Sequence, residues 1–92
     1  MQSLVKNWQL TNQKLYRDFI FSNFDEAFDF MRIIAYFSKK MNHHPMWINY
    51  YNKVEIYIST ESKNKITSQD IELAEKINDI FENKKDYLTF LV

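Results

Sequence analysis

The single proline of this 92-residue chain, Pro45, divides it into two regimes. Proline clashes with α geometry at the residue before it, so no helix can run through His44. Upstream, AFDFMRIIAYFSKKM sets Ala27, Met31, Ile34, Ala35 and Ser38 at helical spacing, with Phe28, Phe30 and Phe37 beside them. Ser22 with Asp25, or Asn23 with Glu26, can form a capping box at its start. Lys39 and Lys40 fall in the last turn, where cations suit the helix dipole. The helix is predicted to end by about Asn42. Downstream, residues 46–60 change to a strand pattern. Val54, Ile56 and Ile58 alternate with Glu55, Tyr57 and Ser59, and Asn52-Lys53 is read as a turn or bulge between two strands.

The remaining elements follow from the same periodicities. A short strand is expected to open at residues 8–10. LYRDFIF puts Leu15, Arg17, Phe19 and Phe21 on one face and Tyr16, Asp18 and Ile20 on the other. Residues 61–65 are polar and loop-like. A second helix starts with Thr67 as cap and Asp70 three positions on, and carries Ile71, Ala74, Ile77, Asn78 and Phe81 at helical spacing. The end, YLTFLV, is a β-prone apolar tail. The order β-β-α-β-β-α indicates one α+β domain over residues 1–92, with antiparallel strands and both helices on one face.

Composition excludes several classes. Lysines plus arginines equal aspartates plus glutamates at 12 each, which argues against a domain that binds nucleic acid by neutralising phosphates. With no glycine, no Gly-rich phosphate loop is possible; with no cysteine, neither a disulfide nor a thiolate metal site is. No apolar run approaches the ~18–20 residues of a membrane span. MQSLVKNWQ lacks the apolar stretch of a secretory signal, so the cytoplasm is the expected location. A chain this short buries only about 60–65% of its unfolded surface, so it needs a dense core or a partner subunit. The aromatic content of 17% helps supply the core.

The chemistry concentrates in MNHHPMWINYYNKVEIYISTES. Adjacent histidines diverge on a regular helix or strand and converge most easily at a junction, which Pro45 provides. Imidazoles titrate near neutral pH, so paired acid–base work is one reading of His43 and His44; surface or capping histidines are another. A metal site would need three or four ligands, and the chain has neither a third histidine nor a cysteine.

These residues carry a resemblance. NHHPMWINYYNKVEIYISTE, followed by ITSQDIELAEKI, resembles the signature of the pterin-4a-carbinolamine dehydratases, also known as dimerisation cofactors of a homeodomain transcription factor. His43, His44, Pro45, Trp47, the run Tyr51 to Val54, Ser59, Thr60 and Asp70 match that pattern. Upstream, Phe19, Phe21, Phe24, Ala27, Phe28 and Phe30 match a second block, and the resemblance covers about residues 8–81. It implies a four-stranded antiparallel sheet with helices on one face, dimers or tetramers, and no metal or organic cofactor. It implies dehydration of 4a-hydroxytetrahydrobiopterin to quinonoid dihydrobiopterin, in recycling the cofactor of aromatic amino acid hydroxylases. On this reading His43 is the main acid–base group, and His44 positions the pterin and the leaving hydroxyl. Asn42, Ser59, Thr60 and Ser62 supply hydrogen bonds, Trp47 walls the pocket, and Pro45 and Asp70 are structural.

The chain departs from the family pattern in two places. Glu61 stands where the family has a third histidine. It can move protons itself, stabilise a histidinium opposite it, or be a solvated loop residue in a non-catalytic interaction module that kept the fold and the oligomer. Family members also begin with a helix, for which MQSLVKN is too short. The tail YLTFLV is then expected to pack back on the core, pair with a sheet edge or make a subunit contact.

Overall fold

The structure is a computed structural model and describes residues 4–92; Met1 to Ser3, part of the stretch discussed for the N-terminal helix, lie outside the described residues. Four strands, β1 (Gln9–Thr11), β2 (Lys14–Ile20), β3 (Met46–Tyr50) and β4 (Lys53–Ile58), form one antiparallel sheet in the order β1-β2-β4-β3. Two α-helices, α1 (Phe24–Met41) and α2 (Ser68–Glu82), lie against it, and a 3-10 helix, Lys84–Leu91, follows α2. The expected four-stranded α+β architecture is the observed one.

Register decides which residues meet the helices. Leu15 pairs with Ile58, Arg17 with Ile56 and Phe19 with Val54, while Trp47 pairs with Ile56 on the other side of β4. These residues therefore share one face. Leu15, Phe19, Val54, Ile56 and Ile58 are buried there against Ala27, Phe30, Ile33 and Ile34 of α1 and Leu73, Ala74, Ile77 and Ile80 of α2. Tyr16, Asp18 and Ile20 occupy the opposite face with Met46, Ile48 and Tyr50. Among the described residues no helix covers that face, and Ile20, Met46, Ile48 and Tyr50 are exposed.

A chain without glycine must make its left-handed turns with side chains present. Thr11 pairs with Lys14, so Asn12 and Gln13 form a two-residue hairpin turn, both with positive φ (51° and 64°), as a primed turn requires. The second hairpin turns at Tyr51-Asn52, not Asn52-Lys53: Tyr50 pairs with Lys53, which places Lys53 inside β4, and Tyr51 takes φ 51°. Asn52 is held because its side chain donates to the Phe21 carbonyl at 2.8 Å, while the Phe21 N–H donates to the Asn52 carbonyl at 2.8 Å.

The C-terminal tail is helical, contrary to its β-prone composition. Tyr87 is buried, and its hydroxyl donates to the Asp79 carboxylate on α2. Phe37 of α1 packs against Tyr87 and Phe90 with ring centroids 5.6 and 5.1 Å apart, and Arg32 donates to the Leu91 carbonyl at 3.1 Å. The tail packs back on the helices, as one of the expectations had it, and does not pair with a sheet edge. Further along α2, Asn78 gathers the chain start: its side-chain oxygen accepts from Trp8 Nε1 at 2.7 Å and Arg17 Nη1 at 2.5 Å, and its amide donates to the Lys6 carbonyl at 2.9 Å.

Candidate active site

The end of α1 and the end of β4 converge on one buried carboxylate. On the α1 side, Asn23 caps the helix start by accepting from the Glu26 N–H at 2.9 Å, and Glu26 reaches back to the Ser22 N–H at 3.2 Å. At its far end Asn42 turns left-handed (φ 54°, ψ 42°) and His43 N–H donates to the Ser38 carbonyl at 3.0 Å. This is the Schellman closure, made with asparagine, one of the few non-glycine residues that tolerates such geometry. The helix thus stops through its own cap, and Pro45 leads into β3. His43 is left at the mouth of that cap.

On the β4 side, Ser59 and Thr60 continue past Ile58. Thr60 bridges Lys65 across the short 3-10 turn Glu61–Lys63, and Thr67 then caps α2. Asp70, the third residue of α2, is fully buried. Its Oδ2 accepts from the Thr67 N–H at 2.7 Å and the Thr60 hydroxyl at 2.8 Å, and its Oδ1 lies 2.5 Å from His43 Nε2. Burial alone would push this carboxyl's pKa up, but the Thr67 N–H, His43 and Thr60 together hold it below the ordinary carboxylate value. An ionised Asp70 can only accept, so the His43 proton sits on Nε2, and a neutral His43 keeps Nδ1 as its free lone pair.

Beside this dyad lies a cleft of about 210 Å³ lined by Lys14, His44, Pro45, Met46, Tyr57, Ser59 and Glu61. It brings together His44 and Glu61, which the sequence singled out 17 positions apart. His43 does not line it; its side chain is only 11% exposed and stands behind on Asp70. Thr60 is near, but its hydroxyl is engaged by Asp70 and Thr67. Three further expected contacts, Trp47, Asn42 and Ser62, also fall outside the cleft. Trp47 is directed to the helix layer by its pairing with Ile56 and packs against the core. Asn42 contributes its backbone turn, and Ser62 is exposed on the 3-10 turn.

Lys14, Met46 and Tyr57 escaped the sequence reading. Met46 pairs with Tyr57, and Leu15 pairs with Ile58, which sets Lys14 beside Ser59. That proximity follows only once β2 is known to neighbour β4, a fact no local motif encodes. Among the described residues, no three His, Cys, Asp or Glu side chains gather as metal ligands, and no helix is long and apolar enough to cross a membrane.

An α+β domain with an imidazole held by a buried carboxylate beside a polar cleft has groups of the kind a proton-transfer site requires. The chain belongs to the pterin 4 alpha carbinolamine dehydratase family, whose family model matches residues 1–80. A relative from Prochlorococcus marinus subsp. pastoris, named "Putative pterin-4-alpha-carbinolamine dehydratase", is 45% identical over 82 residues, covering 89% of this chain and 85% of its own. A relative of the same name from Prochlorococcus marinus strain NATL2A is 44% identical over 77 residues, covering 84% and 81%. Among solved structures, the transcriptional coactivator/pterin dehydratase from Brucella melitensis superposes with a TM-score of 0.80 at 38% identity, covering 83% of each chain.

Proposed function

We propose that this protein dehydrates 4a-hydroxytetrahydrobiopterin to quinonoid dihydrobiopterin in the cytoplasm, in recycling of the tetrahydropterin, without metal or organic cofactor. The reaction breaks the C4a–O bond and removes a proton from a ring nitrogen. One protein group gives a proton to the departing hydroxyl, another takes the nitrogen's proton, and water leaves. The observation that carries this reading is the His43–Asp70 pair beside the cleft of His44 and Glu61. A buried carboxylate that fixes an imidazole's tautomer is how proteins prepare a proton-transfer group. His43 is accordingly the main acid–base residue, His44 orients the substrate in the cleft, and Glu61 takes the place of the third imidazole. Ser59 hydrogen-bonds the heterocycle from the cleft wall, while Thr60 holds the Asp70 carboxylate and the turn at Asn42 presents His43.

Assembly as a homodimer or homotetramer fits the helix-free sheet face and the exposed Phe24, Phe28 and Tyr36 on α1. A second reading, a non-catalytic interaction module, is favoured by Glu61 at the histidine position and by the similarity to a Brucella protein described as a transcriptional coactivator as well as a pterin dehydratase. One assay separates them. The 4a-hydroxypterin is generated with a hydroxylase and its dehydration followed by absorbance. The enzyme reading expects acceleration by wild type and a loss of about 10²–10⁴-fold in His43→Ala, the usual worth of general acid–base catalysis. No excess over the uncatalysed rate in wild type supports the module instead. An unchanged rate in His43→Ala overturns the role given to that residue.

A further inference from the structure

Asp70 has two carboxylate oxygens, and the fold loads them unequally. Among the described residues, Oδ1 meets only His43 Nε2. Oδ2 lies 2.7 Å from the Thr67 backbone nitrogen, 2.8 Å from the Thr60 hydroxyl and 3.2 Å from the Thr67 hydroxyl. The two hydroxyl oxygens are themselves 2.8 Å apart.

Counting protons orients this triangle. An ionised carboxylate only accepts, and each threonine hydroxyl carries one proton. Thr60 donates its proton to Oδ2, so the proton between the two threonines belongs to Thr67. The chain runs from Thr67 to Thr60 to Asp70, and each bond polarises the next. The opposite direction would leave the 3.2 Å contact as the only hydroxyl bond to the carboxylate. The donors on Oδ2 fix the plane of the carboxylate, and with it the aim of Oδ1 at His43.

Thr67 is also what locates Thr60. Thr60 lies past the end of β4, and residues 61–65 beyond it are exposed; the chain packs on the core again only at Ile66. The hydroxyl bond ties the end of β4 directly to the first turn of α2 by side chains. Thr67 is not part of the cleft lining, and its hydroxyl bonds Thr60 and Asp70, not His43.

We infer that Thr67, beyond capping α2, is a positioning residue for the proton-transfer site, acting on His43 through Thr60 and Asp70. The inference rests on the proposed function for what His43 does to a substrate; the hold on the His43 N–H can be measured without one. Thr67→Val keeps the shape of the side chain and removes the hydroxyl, and Thr67→Ser restores it. Asn23→Ala is the control, because it removes the cap of α1 without touching Asp70. Each variant is compared with wild type in kcat and KM for dehydration and, by NMR, in the solvent exchange of the His43 Nε2–H. Thermal melts check folding, and Thr60→Val reaches the same bond from its other end if Thr67→Val does not fold.

Thr67→Val is expected to lower kcat by roughly 2- to 12-fold, the worth of one hydrogen bond, with KM little changed, and to speed the exchange by a similar factor. Thr67→Ser should restore both, and Asn23→Ala should move neither. Combined with Thr60→Val, Thr67→Val should add no further loss, since the two residues form one chain. Wild-type kcat and exchange in Thr67→Val, an equal loss in Asn23→Ala, or additive losses in the double variant would overturn the inference. No turnover by wild type, with exchange still faster in Thr67→Val, would overturn the dehydratase reading and uphold the positioning role.

Discussion

Replacing Asp70 by asparagine separates what this carboxylate does for the fold from what it does for His43. Asparagine matches it in shape, and its one carbonyl oxygen can keep the place that accepts from the Thr67 N–H and the Thr60 hydroxyl. Its amide then presents N–H groups to His43 Nε2, which must give up its proton, so the proton moves to Nδ1. Three charge-assisted hydrogen bonds become neutral ones, a loss of about 1 kcal/mol each. Relief of the buried charge offsets part of this, and the net cost is about 1–2 kcal/mol, or a fall of roughly 10 °C in Tm for a domain of this size. Alanine instead leaves His43, Thr60 and the Thr67 N–H without their acceptor, and is expected to cost about 3–5 kcal/mol. The assay is urea unfolding at pH 7, repeated stepwise to pH 3. Asp70 has a folded pKa below its unfolded value, so its contribution is complete above about pH 4–5 and is lost as pH falls through the ordinary carboxylate value toward the folded one. The gap between wild type and Asp70→Asn should therefore be full at pH 7 and close as the medium turns acid. Catalysis should fail at every pH where both fold, with kcat down by about 10²–10⁴-fold and KM little changed, because the Nδ1 lone pair is gone. Equal stability at pH 7 together with wild-type kcat would refute both halves of the reasoning.

Substitutions at three further residues probe other parts of the molecule. Glu61→His is expected to raise dehydratase turnover if Glu61 is a poor substitute for an imidazole, and Glu61→Gln to lower it if the carboxylate moves a proton. Wild-type rates in both would make Glu61 a bystander. Tyr87→Phe removes the bond to Asp79 that anchors the C-terminal 3-10 helix, and should cost about 1–2 kcal/mol in urea unfolding. Burial, then the Asp79 bond, push the Tyr87 hydroxyl up to about 12, so its contribution is complete below pH 10 and lost as pH climbs toward 12. Alkaline titration of the wild type should accordingly release Tyr87, read as tyrosinate absorbance, and Tyr87→Phe should lack that late-titrating step. Asn78→Ala leaves Trp8 Nε1 and Arg17 without their shared acceptor and is expected to destabilise by about 2–3 kcal/mol, with quenching or a shift of Trp8 fluorescence before global unfolding.

What could be read along the chain was what depends on neighbours in sequence. The apolar alternation of Val54, Ile56 and Ile58 placed β4, and Asn23 with Glu26 placed the start of α1, because side-chain period and cap chemistry act within a few residues. The capping role of Thr67 and Asp70 was legible for the same reason. The second role of Asp70 was not. Its contact with His43 joins positions 27 apart and exists only because α1 stops at Asn42 and the end of β4 runs back beside it. The tail shows the opposite failure. Tyr87, Thr89 and Phe90 are β-formers by propensity, and Tyr87 is nonetheless drawn into a helical turn by Asp79 and Phe37 on two different helices. Propensity is worth tenths of a kcal/mol per residue, and a buried aromatic ring with a satisfied hydroxyl outweighs it.

The cleft was half legible for a reason that also bears on its chemistry. The residues that a motif can name, His43, His44 and Glu61, lie on two chain ends that the β-sheet merely brings near. Lys14 enters from a third, through the pairing of Leu15 with Ile58. With Lys14 present, Glu61 is not the only ionisable group at that end of the cleft. The cleft holds a cation and an anion where an imidazole would supply one group able to be either. An imidazole can take a proton and give it back; an amine and a carboxyl on one cleft wall divide donor and acceptor between two side chains. If Glu61 works, it works with Lys14, and Lys14→Met should lower turnover by a similar factor to Glu61→Gln, with the double variant no worse than either. Additive losses would show two independent contacts instead.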